Sequence, residues 1–311
     1  MRLIYINNYK GLNTLAFQVH QKLKYNKDSL LISKLNRNIV AKEYHDKVII
    51  SGDIIEFYHY EKPQKRNKSK AEQKENKVPV ADWILEGRKP GKGDAWEPEE
   101  YDLVYARFQN ARRGKNKVRR LINSNVYQYI DKNNKKIIPK FLTLTFADNV
   151  QEVSEANKIF SNFIHEINRK IFGRKDKRGL KYLVVMEFQL RGAIHYHVIF
   201  FNLPYVKTRE LQRIWGQGIV HIKKLNNVDN IGAYISKYLT KDYDDDRLDG
   251  KKRYFTSCGL IKPYIEIDIK KIDLLKRSML EKYKVFDSTF QNVFTGQLDY
   301  LQYNLRVKNI Q

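Results

Sequence analysis

The stretch "LKYLVVMEFQLRGAIHYHVIFFN", residues 180–202, decides how this chain folds. Its two halves are rich in Val, Ile, Phe and Tyr, which fit a pleated, half-buried surface, and Arg191 and Gly192 separate them. That pattern predicts two antiparallel strands joined by a tight turn. Side chains alternate along a strand, so His195 and His197 share one face while Tyr196 points to the other. If the hairpin turns at Arg191, Glu187 stands opposite His195; if it turns at Gly192, Glu187 stands opposite His197. Directly paired residues share a face, so in both registers a carboxylate and two imidazoles meet. Two core histidines satisfied by hydrogen bonds are the plainer alternative. A buried carboxylate beside two imidazoles is costly unless something cationic sits among them, and a divalent metal meets that need. The expected metal ligands are Glu187, His195 and His197. Imidazole with carboxylate suits Mn²⁺ or Mg²⁺.

Outward from the hairpin, "KFLTLTFAD" (140–148) reads as a strand. In "QEVSEANKIFSNFIHEINRKIFG" (151–173), Val153, Ala156, Ile159, Phe160, Phe163, Ile167 and Ile171 recur three or four apart, an amphipathic helix ended by Gly173. "VKTRELQRIWG" (206–216) reads as a short helix and "GIVHIKKL" (218–225) as a strand. The order β-α-β-β-α-β defines an α+β, ferredoxin-like or split βαβ domain around a central antiparallel sheet. Four strands with helices on one face would leave the other face free for a ligand.

The flanks differ in composition. Residues 1–60 hold short strand-like runs such as "KVIISGDIIEFYHY", a small accessory region. Residues 61–97 begin with "EKPQKRNKSKAEQKENKVP", too poor in apolar side chains to offset the entropy of ordering, and are expected to be a flexible charged linker. A basic helix is expected over 98–135, the sheet domain over 136–262 and a C-terminal extension over 263–311.

Fifty-nine Lys and Arg stand against 35 Asp and Glu in 311 residues, a formal charge of +24 that calls for a polyanionic partner such as nucleic acid. The run Arg112, Arg113, Lys115, Lys117, Arg119 and Arg120 is a candidate for part of that contact, together with Lys241. No apolar run reaches the ~18 residues that span a bilayer, and "MRLIYINNYKGLN" lacks the apolar core of a signal peptide, so a cytoplasmic protein without membrane contact is expected. The single cysteine, Cys258, can form no internal disulfide.

A further helix, "VDNIGAYISKYLTKD" (228–242), supplies possible chemistry. Val228, Ile231, Ile235 and Leu239 form its core-facing stripe, while Tyr234, Lys237, Tyr238 and Lys241 share another face. Beside a metal, a tyrosine hydroxyl can serve as nucleophile, a lysine can stabilise the phenolate or phosphate charge, and the metal can polarise a scissile phosphate.

"FLTLTF" (141–146), "HYH" (195–197) preceded by "EFQLRGAI", and "YISKYLTK" (234–241) resemble, in order, the three motifs of rolling-circle replication initiators, the HUH endonucleases. With the trailer "RYFTSCGL" (253–260), the chain is similar to the replication-associated proteins of single-stranded DNA phages and bacterial mobile elements over about residues 110–262. The resemblance implies a sequence-specific enzyme that nicks and rejoins single-stranded DNA at an origin through a 5′-phosphotyrosine. It matches His195 and His197 to the metal-binding pair, Glu187 to the third ligand, Tyr234 and Tyr238 to the two tyrosines, and Lys237 to the motif's lysine. No G-x-x-x-x-G-K-[ST] occurs, so a host helicase and polymerase are the expected partners. Transposases and conjugative relaxases of the same class, and a non-catalytic single-stranded nucleic-acid-binding module, are the alternatives.

Overall fold

The computed structural model describes residues 43–65, 100–131, 133–173, 179–189, 191–225, 230–237, 254–292 and 295–307, with side chains of the first helix described from 112 onward. In chain order the elements are β1 (Glu43–Ser51), β2 (Ile54–Lys65), α1 (Glu100–Asn125), β3 (Lys140–Thr145), α2 (Val153–Phe172), β4 (Tyr182–Phe188), β5 (Ile194–Phe200), α3 (Thr208–Trp215), β6 (Val220–Lys224), α4 (Ile231–Ser236), β7 (Tyr254–Thr256), β8 (Tyr264–Glu266), α5 (Ile269–Ser278), β9 (Lys284–Asn292) and β10 (Gly296–Asn304). The fold is α+β with two antiparallel five-stranded sheets, each in its own compact unit.

The first unit, Phe108–Lys262, carries the β-α-β-β-α-β order as an antiparallel sheet β6-β3-β5-β4-β7. The expected four strands are joined by β7, which the trailer supplies and which pairs with β4 through Leu183↔Thr256, Val184↔Phe255 and Val185↔Tyr254. One face buries Leu142, Leu144, Met186, Tyr196 and Val198 against Phe160, Phe163 and Ile167 of α2 and Leu211 and Trp215 of α3. Each such side chain removed from water contributes about 1.5–3 kcal/mol. Helix α2 starts where Glu152 accepts a hydrogen bond from the Ser154 amide at 3.2 Å, and it ends at Gly173, whose φ of 77° favours glycine.

The opposite face is not free, contrary to expectation. Its strand residues at one end are apolar, namely Phe141, Leu183, Val185, Ile199 and Phe201. Exposing them would be unfavourable, and Val118 and Ile122 of α1 with Ile231 and Ile235 of α4 cover them. Only the end bearing Thr143, Thr145, Glu187, His195 and His197 presents polar side chains. Helix α1 ends at Asn125, ten residues short of the expected limit, because the buried Asn125 amide turns the chain into a short bridge, Ile130↔Lys136. Asn125 donates to the Ile261 carbonyl at 2.8 Å and accepts from the Ile261 amide at 2.9 Å.

The second unit corrects the division of the flanks. Strand β2 runs through Lys65, so residues 61–65 are strand and not linker. The accessory and C-terminal segments form one sheet, β8-β1-β2-β10-β9, in which Tyr58 pairs with Lys47 on one side and Tyr300 on the other. One face packs Val48, Ile50, Ile55 and Phe57 against Ile272 and Leu275 of α5. On the other, the buried Glu56 accepts hydrogen bonds from the Tyr58 and Tyr300 hydroxyls, both at 2.9 Å.

Candidate active site

Glu187 pairs with His195, Val185 with His197 and Met186 with Tyr196, which centres the hairpin on Arg191. Gly192, at φ 90°, takes the backbone conformation that the tight turn needs. Arg191 fastens the turn by donating to the carbonyls of Ala147, at 3.1 Å, and Phe146. On the β3 side, Thr145 stands opposite His195 and Thr143 opposite His197, so all five polar groups share the face.

The closest polar contact within the group is diagonal. Nε2 of His197 lies 2.7 Å from Oε2 of Glu187, and both residues are buried. Nδ1 of His197 lies 3.4 Å from the Thr143 hydroxyl. With Glu187 ionised, Nε2–H donates to the carboxylate and the Thr143 O–H donates to Nδ1, which describes a neutral imidazole with both ring nitrogens engaged. The His195 ring stands 6.4 Å from that of His197, nearly perpendicular, and its Nε2 is buried. Tyr196, on the opposite face, donates to Asn157 at 2.8 Å, and burial pushes its phenol well above the usual range.

Two imidazoles and a carboxylate are the donor types that suit a divalent ion. Among the described residues, however, no three His, Cys, Asp or Glu side chains converge as they stand to hold one. Glu187 and His197 bind each other instead.

Phe141 joins this group to α4. Its ring is parallel to the His197 imidazole at 5.7 Å, and it meets the Tyr234 ring edge-on at 6.2 Å. Tyr234 is half-buried, with the ammonium of Lys237 4.6 Å from the centre of its ring. Ile231 and Ile235 are buried as the apolar stripe requires, while Val228, Leu239, Tyr238 and Lys241 lie outside the described residues.

Two features carried no motif. Lys223 of β6 is directly opposite Phe141 and donates from Nζ to the Tyr234 hydroxyl. Strand alternation in "VHIKK" sets Lys223 on the same face as His221, the Thr143 partner, and this was the available signal. Asn123 of α1 seats the start of α4 by accepting from the Gly232 amide at 2.9 Å and donating to Asn230 at 3.0 Å. A Cβ on Gly232 would collide with the Arg119 carbonyl oxygen and Asn123 Oδ1, so this close crossing of α1 and α4 requires glycine.

Of the basic run, Arg112, Arg113 and Lys117 are exposed, and Lys115, Arg119 and Arg120 are half-buried on the helix that covers the sheet. Among the described residues no helix is long and apolar enough to cross a membrane.

Residues 139–243 match the family model described as replication-associated protein, of the ORF2 and gene-2-protein type. The match spans roughly a third of the chain. It takes in β3 to α4, and so Glu187, His195, His197, Lys223, Tyr234 and Lys237, whereas the basic run and the second sheet fall outside it. No curated protein and no solved structure matches the chain. The family match supports a replication-initiator role, and with it DNA as the partner.

Proposed function

We propose that this chain is an initiator of the HUH class, which nicks one DNA strand at an origin and later rejoins it. The observation that carries the proposal is the position of Phe141 between His197 and Tyr234, which sets a phenol beside a face bearing two imidazoles and a carboxylate. In the nicking step the Tyr234 oxygen, or that of Tyr238 in the same segment, forms a bond to phosphorus while the bond from phosphorus to the 3′ oxygen breaks. The phenolic proton passes to solvent and the departing oxygen takes one up. The products are a 5′-phosphotyrosine and a free 3′-OH. The 3′ end can prime a polymerase, and the ester conserves the energy for rejoining without ATP.

Glu187, His195 and His197 are the residues that would hold a divalent ion, Mn²⁺ or Mg²⁺, after the Glu187–His197 contact opens. Bound there, the ion would polarise the scissile phosphate. Lys237 and Lys241 would add positive charge near the transferred group. Transposases and relaxases use the same chemistry; the match to a replication-associated family favours replication.

The test incubates the full chain with Mn²⁺ and a pool of single-stranded oligonucleotides and separates the products under denaturing conditions. A protein–DNA adduct that chelator abolishes supports the proposal. Adduct formation undiminished by chelator and by both His195→Ala and His197→Ala removes the metal from it.

A further inference from the structure

The geometry points to Lys223 as a positioning residue for Tyr234: its ammonium holds the phenolic oxygen from the strand side and stabilises the negative charge there during both nicking and rejoining. This inference rests on the function proposed above and adds a residue that lies on β6, eleven positions before Tyr234 and outside the segment that bears both tyrosines.

Two lysines approach Tyr234, and they do different things. Lys237, from α4 itself, lies 4.6 Å from the ring centre. Lys223 also sits 4.6 Å from that centre, but its Nζ reaches the hydroxyl and donates a hydrogen bond to the oxygen. Its backbone is fixed by pairing with Phe141, whose ring its ammonium approaches to 5.7 Å. A rigid strand therefore delivers the cation to the oxygen that must react.

A charge-assisted hydrogen bond is worth most where charge develops. In nicking, the Tyr234 oxygen bonds to phosphorus as the 3′ oxygen leaves; in rejoining, the 3′ oxygen attacks the same phosphorus and the tyrosine oxygen leaves. The phenolic oxygen carries partial negative charge in the transition state shared by both directions. Lys223 should accelerate both by one factor and leave their equilibrium unchanged. An exposed lysine that merely contacted a DNA phosphate would instead change affinity and its salt dependence.

The experiment compares the wild-type chain with Lys223→Met and Lys223→Arg in single turnovers at saturating oligonucleotide and Mn²⁺, measuring nicking and rejoining separately. It also follows the Tyr234 ring-carbon NMR signal against pH, assigned with Tyr234→Phe. The groups facing this phenol are Lys223 from β6 and Lys237 from α4, with His197 beyond the Phe141 ring. Lys223→Met is expected to slow both directions by a similar factor of about 10–100, the range of a charged hydrogen bond. Lys223→Arg should recover much of the rate. The Tyr234 signal should titrate at higher pH in Lys223→Met than in wild type. Wild-type rates in Lys223→Met, or a loss confined to DNA affinity, would overturn the inference, as would a Tyr234 titration unmoved by the substitution. A wild-type chain that forms no adduct would instead contradict the proposed function, and the titration would still decide whether Lys223 acts on the phenol.

Discussion

The ring of Phe141 lies parallel to the imidazole of His197, with centroids 5.7 Å apart and planes 3° apart. The other contact of that ring is edge-on to Tyr234, so one buried phenyl sets the spacing between the imidazole face and the phenol. Truncating a buried Phe to Ala costs about 3–5 kcal/mol and confounds folding with function. Phe141→Leu keeps apolar burial and forfeits ring contacts worth on the order of 1 kcal/mol. We expect Phe141→Leu to remain folded by circular dichroism and to form adduct at least tenfold more slowly, roughly the effect of a small misplacement of reacting groups. An unchanged adduct rate would mean that Phe141 does not set this spacing.

Gly232 makes a second prediction. A methyl group there must displace either the Arg119 carbonyl or the Asn123 amide, and overpacking of this kind costs about 1–3 kcal/mol. Gly232→Ala should lower the thermal midpoint and, by pushing α4 away from α1, reduce adduct formation while affinity for DNA is retained. A variant with wild-type stability would show that the crossing has slack.

Lys140 predicts a pH dependence of stability. It is buried, its ammonium donates to the Leu203 carbonyl, and burial together with neighbouring Lys224 lowers its pKa from 10.5 to about 8. Between these values the unfolded chain binds the proton and the folded one does not, so stability rises with pH across the window; below about 8 the full cost of the buried charge is present. Lys140→Met lacks this component. Denaturant midpoints measured from neutral to alkaline pH should show wild type gaining on Lys140→Met above about pH 8. Parallel curves would assign Lys140 an ordinary titration.

The exposed Arg112, Arg113 and Lys117 bear on DNA affinity. Each phosphate contact with a single strand adds about −0.7 to the slope of log affinity against log salt. Replacing all three by Gln should weaken binding and flatten the slope by about 2 if each makes one contact. A slope equal to that of wild type would return these residues to a solvated helix face.

Much of the site was legible because strand alternation is a local rule. It set His195 and His197 together, and the short turn restricted Glu187 to two partners. Pairing chose His195, yet the hydrogen bond goes diagonally to His197, which depends on rotamers that no spacing encodes. The covered end of the sheet was partly legible, since Phe141, Leu183 and Ile199 are too apolar to face water, but their cover comes from α1 and α4, distant in sequence. The second sheet was illegible for the same reason. Ile54 pairs with Asn304 across almost the whole described chain, and no local periodicity announces such a pairing. Lys223 was one lysine among many until the fold set it against Tyr234.

The central claim is that a tyrosine of the segment beginning at Tyr234 becomes bonded to DNA. The most direct measurement digests the Mn²⁺-dependent adduct with protease and nuclease and locates the modified residue by mass spectrometry. We predict a nucleotide attached through phosphate to Tyr234 or Tyr238, and no adduct in the doubly substituted Tyr234→Phe, Tyr238→Phe chain although it still binds DNA. Attachment at another residue, or an adduct persisting in the double variant, would contradict the account.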